Sequence, residues 1–338
     1  MPRNQAYVDR RKALADMAKE TIATTPIIAA DLPHLDVTSS ELLSLSTLPP
    51  LDPSACPGFT LSSDSGASPG TAIRVLNQDT FDAALAMPST LLGPPPANLD
   101  TRSIETHYLS RLQSAARAPT ALHPAVAARV AVLNMASEKN PGGGWTRGST
   151  AQEEALCYRS TLAASLHRRL YPIAERAGVY THDVVVFREA MGEGHGLLVP
   201  GVEAARLPVA SVLSVAGIRR PEVKGAEGPE GDGKGGKGRR PRGRLVYAAP
   251  GARDLMKDKM RLCLRMAGAR GHTMLVLGAL GCGAFRNPPE EVAACWLEVL
   301  SGPEFAGGWF REVWFAVYDR KNEGNFETFQ QVLDGKSI

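Results

Sequence analysis

The sequence predicts an α/β layer fold carrying an N-terminal helical and loop extension. Three observations predict it. From about residue 125 short apolar runs alternate with helical stretches; five of those runs are near-continuous in Val, Leu and aromatic residues, as strands buried on both faces are; and the preceding hundred residues lack the alternation.

In chain order, residues 8–24 read as an amphipathic helix with Leu14, Met17 and Ile22 on or near one face. Between Leu32 and Pro96 the chain is rich in Pro, Ser and Thr, interrupted by a strand-like Ala72 to Leu76 and a short helical segment near Phe81 to Leu85. The apolar runs follow: Val130 to Leu133, Val184 to Phe187, Val209 to Val215, Met274 to Leu277 and Val313 to Val317. Helices are expected between them at about 151–170, 251–268, 289–300 and 323–334, the first with a Leu162, Leu166, Leu170 stripe. The expected organisation is an accessory region over 1–120, packed on a main domain over 121–338. Within the latter, Arg219 to Arg244 holds nine Lys or Arg, four Asp or Glu and much glycine, so it has too little apolar surface to order itself and reads as a flexible basic insertion. Such a segment also offers a weak contact for nucleic acid.

The chain has 338 residues, 43% hydrophobic and 22% charged, with a formal net charge of +3. Those proportions suit a globular protein, and a polyanionic partner would have to be met by local patches. Cys56, Cys157, Cys263, Cys282 and Cys295 are widely spaced without a C-x-x-C pair, and the histidines show no ligand spacing, so neither a disulfide framework nor a metal site is expected. No stretch is apolar enough for a membrane span, and an intracellular protein, nuclear or cytoplasmic, is expected.

The chemistry concentrates after the Val130 to Leu133 run. Asn140-Pro141-Gly142-Gly143-Gly144-Trp145 leads through Ser149-Thr150 into Gln152-Glu153-Glu154. Three glycines allow a ligand to approach backbone, or φ to turn positive, at an entropic cost. Carboxylates then open a helix whose free N–H groups and dipole favour anions. Thr150-x-x-Glu153 and Ser149-x-x-Gln152 are also capping-box patterns, which would explain one acid without a ligand but not two acids after a triple glycine. Trp145 is either a gate for this loop or its anchor.

A second glycine-rich turn, Gly278-Ala279-Leu280-Gly281-Cys282-Gly283-Ala284-Phe285-Arg286-Asn287-Pro288, follows the Met274 to Leu277 run. It can form a nest of N–H groups for a diphosphate, or be a tight strand-to-helix turn. No lysine follows Gly148, so the phosphate loop G-x-x-x-x-G-K-[ST] is absent. Two such loops after buried strands would share the carboxyl edge of a sheet, where ligand crevices form.

Gly142-Gly143-Gly144, seven residues, then Gln152-Glu153-Glu154 resembles the signature of poly(ADP-ribose) glycohydrolases of microbial type, as do Asn140-Pro141 and the run from Leu277 to Pro288. The likeness covers about 125–335, with weaker stretches at Arg11 to Thr21 and Ile73 to Ala83. Ala216-Gly217-Ile218 departs from the Ala-Ala-Pro-Asn expected there. The resemblance implies a macrodomain-like three-layer α/β/α fold with a mixed sheet, ADP-ribose in the crevice, and no cofactor. Gly281, Cys282, Gly283 and Ala284 would cradle the diphosphate, and Phe285 would pack near the ribose being cleaved, unless it is plain core. Asn140, Gly142, Gly143 and Gly144 would line the ribose side. Glu154 would be the general acid and then base, Glu153 would bind ribose hydroxyls, and Gln152 would orient the loop. The expected partners are poly(ADP-ribose), ADP-ribose and ADP-ribosylated proteins. The alternatives are a non-hydrolytic reader of ADP-ribose, a hydrolase of protein-linked mono-ADP-ribose, or a protein working through its basic segment.

Overall fold

The computed structural model describes residues 2–63, 66–87, 129–226 and 244–338. Most of the basic segment, 227–243, and the end of the Pro-rich stretch lie outside them. A seven-stranded mixed sheet forms the centre, in the order β1 (Glu41–Ser44), β6 (Ala177–Val185), β7 (Val209–Val215), β5 (Ala131–Met135), β10 (Met274–Leu277), β11 (Glu312–Ala316), β4 (Ala72–Leu76). β7, β5, β10, β11 and β4 run parallel, while β6 is antiparallel to β7 and to β1. Two hairpins stand apart, β2 (Thr60–Ser63) with β3 (Gly66–Pro69) and β8 (Val223–Gly225) with β9 (Leu245–Tyr247).

The strands are apolar on both faces because both are covered. Leu133, Leu213, Leu275 and Phe315 join one core with residues of α5 (Ala252–Ala269), α6 (Pro289–Leu300) and α7 (Asn325–Leu333). Their neighbours Val132, Val212, Val276 and Trp314 face the other way, into a core with α1 (Pro2–Asp31), α2 (Thr80–Ala86) and α3 (Gln152–Arg159). This is the three-layer α/β/α arrangement with a mixed sheet. Trp296 of α6 is fully buried, meets Phe315 edge-on at 5.7 Å and donates from Nε1 to the Gly278 carbonyl at 3.1 Å. One large aromatic thereby fixes a helix, a strand and the start of the second glycine loop.

Several elements differ from the sequence reading. α1 extends to Asp31, and its buried stripe is Leu14, Ala18, Thr21 and Ile28, whereas Ile22 is 53% exposed. The helix expected over 151–170 stops at Arg159: Ser160 is extended and bridges Val186, the Thr161 N–H donates to the Val185 carbonyl, and α4 (Leu162–Ser165) and a short 3-10 turn follow. Pairing with the sheet margin overrides the leucine stripe. β6 begins seven residues before Val184, and β1 lies in the stretch read as loop. β1 and β4, both from the N-terminal region, are the two edges of the central sheet. No helix among the described residues is long and apolar enough to cross a membrane.

Candidate active site

The carboxyl ends of β5, β7 and β10 lie side by side, so the loops leaving them, 136–151, 216–222 and 278–288, meet at one edge. This is where a crevice opens in a parallel sheet.

The start of α3 is held by three consecutive side chains rather than by a cap. Ala151 occupies the N-cap with no side-chain bond, so neither capping-box pattern operates. Gln152 reaches the end of β5: its Oε1 accepts the Met135 N–H at 2.8 Å, and its Nε2 donates to the Leu133 carbonyl at 2.7 Å and to Thr80 Oγ1 at 3.0 Å. The primary amide does for this strand edge what a neighbouring peptide would. Glu153 Oε2 accepts the Ser137 N–H at 2.7 Å, and Glu154 Oε1 accepts the Gly144 N–H at 2.8 Å.

Both carboxylates are buried, with relative exposures of 3% for Glu153 and 8% for Glu154. The remaining oxygen of each, Glu153 Oε1 and Glu154 Oε2, has no hydrogen-bond partner among the described residues. A buried, unmet acceptor costs on the order of 1–3 kcal/mol, more when charged, so a second hydroxyl or proton is wanted at both. Burial pushes the Glu153 carboxyl up to about 8, against the lowering effect of the Ser137 N–H, with the negative charge of Glu154 adding to the rise. Glu153 therefore holds a proton at neutral pH.

The triple glycine answers to these acids. Gly142 and Gly143 have φ of +66° and +62°. A Cβ on Gly143 would stand 2.5 Å from Glu154 Oε1 and 3.0 Å from Glu153 Oε2; one on Gly142 would meet the Trp145 ring at 2.8 Å and Cys157 Sγ at 3.0 Å; one on Gly144 would collide with Ser149 Oγ. Trp145 is 6% exposed and packs edge-on to Tyr158 at 5.8 Å, which makes it the anchor of the loop. Tyr158, one turn after Glu154, donates its hydroxyl toward the carbonyls of Trp145 (2.6 Å) and Ser149 (3.0 Å). From outside, Arg11 of α1 donates through Nε (3.0 Å) and Nη2 (2.7 Å) to the Arg147 carbonyl, and Gly148 lies against the Arg11 backbone. Asn140 is exposed beside Arg168, with its carbonyl accepting the Gly143 N–H at 3.0 Å.

In the second loop Asn287 does what sequence reasoning missed. Its Nδ2 donates to the carbonyls of Ile218 (2.6 Å) and Gly281 (3.0 Å), and its Oδ1 accepts the Tyr247 hydroxyl at 3.0 Å. Gly281, at φ +76°, has no room for a Cβ beside that amide. Gly217 lies so close that a Cβ there would be 2.9 Å from Gly281 Cα, so the residues departing from the expected motif still seat the loop. Cys282 is buried, and burial raises its thiol well above the ordinary range. Gly283 and Ala284 are exposed and Phe285 is half-buried. A Cβ on Gly283 would meet nothing within 4 Å, and its φ needs no glycine. Gly283→Ala is thus expected to leave the melting temperature unchanged while lowering ADP-ribose affinity about tenfold, if that open side is the ligand's; calorimetric titration with ADP-ribose checks it.

The model of the microbial-type PARG catalytic domain matches residues 8–189, more than half the chain and the whole of the loop from Asn140 to Glu154. The chain belongs to that family. Microbial-type PARG proteins are glycosidases of poly(ADP-ribose). Among solved structures, poly(ADP-ribose) glycohydrolase from Thermomonospora curvata is 24% identical with a TM-score of 0.59, over 95% of this chain and 99% of that one. The same enzyme bound to the inhibitor ADP-HPD gives 0.60 over the same shares at 24% identity. The enzyme from Deinococcus radiodurans in complex with ADP-ribose is 23% identical with a TM-score of 0.54, over 90% of this chain and 95% of that one. At such identities the likeness speaks for the fold. A search of curated sequences gave no match.

Proposed function

We propose that this member of the microbial-type PARG family hydrolyses the ribose–ribose O-glycosidic bonds of poly(ADP-ribose), with Glu154 as acid and then base. The observation that carries the reading is the buried pair: each carboxyl is tied by one oxygen to a loop N–H and leaves the other unmet. Cleavage passes through an oxocarbenium-like state, so a proton must reach the leaving oxygen and a water must then be activated. Glu154 Oε2 does both in turn. Glu153, protonated and tied to Ser137, holds the ribose hydroxyls, and its neutral state spares the oxocarbenium site a second buried charge. The diphosphate lies on the open side of Gly283 and Ala284, and Phe285 beside the scissile ribose. The relatives solved with ADP-ribose and with ADP-HPD support a ligand of that class in the crevice. ADP-ribosylated proteins are the natural carriers of the polymer, and the basic segment adds a weak contact to nucleic acid.

The test is release of ADP-ribose from poly(ADP-ribose), read by chromatography, beside ADP-ribose binding. Release by the wild type is expected; tight binding without release would make the chain a reader.

The Glu153 proton also couples folding to pH. The folded protein keeps it between pH 4.5 and about 8, a window in which the unfolded chain has released it. Stability is therefore greatest at the acid end of that window and falls as pH rises, by up to about 1.4 kcal/mol per unit. Glu153→Gln is expected to flatten this slope in thermal melts between pH 5 and 8; an identical slope in the variant would mean that Glu153 titrates normally.

A further inference from the structure

The loops after β7 and β10 are fastened to one another, and the fastening displays arginines. The Ile218 carbonyl accepts from Asn287, the Arg220 N–H donates to the Phe285 carbonyl at 2.8 Å, and Gly217 abuts Gly281. Arg220 and Arg286 are held at φ of +48° and +60°, a conformation that costs a branched or long side chain energy and recurs at functional positions. Both side chains are exposed, and neither has an ion pair among the described residues. Beside them, next to Arg220 in the chain, Arg219 lays its guanidinium 6.0 Å from the Phe285 ring centroid and donates from Nη1 to Glu138 Oε1 at 3.1 Å. It thus touches both the second glycine loop and the loop that leads to the first.

From this we infer that Arg219, Arg220 and Arg286 form a subsite for the diphosphate of the ADP-ribose unit adjoining the one in the crevice. The inference rests on the hydrolase reading, which puts the scissile ribose at Phe285. A polymer continues past that ribose, and each further unit brings a diphosphate. Arg219 stacks on Phe285, Arg220 is bonded to its carbonyl and Arg286 follows it in the chain, so three exposed guanidinium groups surround this residue, and a guanidinium can take phosphate bidentately. Arg219 would exchange Glu138 for phosphate. The subsite gives the enzyme a preference for chains over single units.

The test compares, in the Glu154→Gln background that leaves the polymer uncut, the chain with its three arginines and the triple variant Arg219→Gln, Arg220→Gln, Arg286→Gln. Affinities are measured by direct binding for long poly(ADP-ribose) and for free ADP-ribose, at two salt concentrations. The variant is expected to lose about tenfold affinity for the polymer, the scale of three exposed charge contacts, with a weaker salt dependence and ADP-ribose affinity within about twofold. The triple lysine variant is expected to recover part of the loss. Unchanged polymer affinity, or an equal loss for ADP-ribose, overturns the inference. These are binding measurements, so a wild type that binds both ligands but releases no ADP-ribose would count against the hydrolase reading alone.

Discussion

Glu154→Gln is expected to lower kcat on poly(ADP-ribose) by about 10²- to 10⁴-fold, the range assigned to a positioned acid–base group, and to leave ADP-ribose bound nearly as before. The amide oxygen of glutamine can still accept the Gly144 N–H, so the loop keeps its 2.8 Å tie and the fold has no reason to change. Only the proton is withdrawn. The companion Glu153→Gln separates the two acids. Glutamine mimics the protonated carboxyl and preserves the bond from Ser137, so if Glu153 holds hydroxyls its variant raises KM several-fold and spares most of kcat. A collapse of kcat in Glu153→Gln with little change in Glu154→Gln would reverse the roles, which the elevated proton affinity of Glu153 makes a concrete alternative.

Gly143→Ala is expected to be as damaging, for reasons of space. The residue sits at φ +62°, and the added methyl would be 2.5 Å from the Glu154 carboxyl and 3.0 Å from that of Glu153. Neither neighbour is the free end of a flexible chain, because each oxygen concerned is bonded to a loop N–H. The loop must shift, and a displacement near 1 Å of reacting groups costs on the order of 100-fold in rate. The left-handed backbone adds about 1–2 kcal/mol of destabilisation. Thermal denaturation and ADP-ribose release on the same preparation check both parts. A variant that melts lower but retains full kcat/KM would mean that the acids tolerate movement and that the positioning argument fails.

The site was legible where chemistry forces rare residue choices. Packing and helix capping alone seldom call for three glycines before two acids, and the structure brings those residues together. Their meaning shifted, however: the glycines make room for the carboxyls, a side-chain packing fact that backbone-to-ligand reasoning from spacing does not reach. Burial raises the Glu153 carboxyl, and burial is a tertiary property that spacing does not show. Asn287 and Tyr158 were hidden because an asparagine after a glycine turn and a tyrosine one turn beyond Glu154 are common in sequences that do nothing. For the fold, Val209–Val215 and Met274–Leu277 were read at their full bounds because five or more apolar neighbours or a flanking glycine mark them. β1 was not, since Glu-Leu-Leu-Ser becomes a strand only through its register with residues 177–180. Likewise the helix expected over 151–170 would run through Ser160, where the chain turns to meet Val186.

The two edge strands bear on how the chain is made. β1 pairs with residues 177–180 and β4 with residues 312–316. A ribosome delivers both early, and each waits for a partner made much later. Until β11 emerges, β4 exposes Ile73 and Val75, which the finished protein buries. While the residues between each strand and its partner are made, the nascent chain carries unpaired strand edges, a state prone to wrong association. Closure of the sheet therefore has to wait for β11, and the early strands are the segments that need shielding until then.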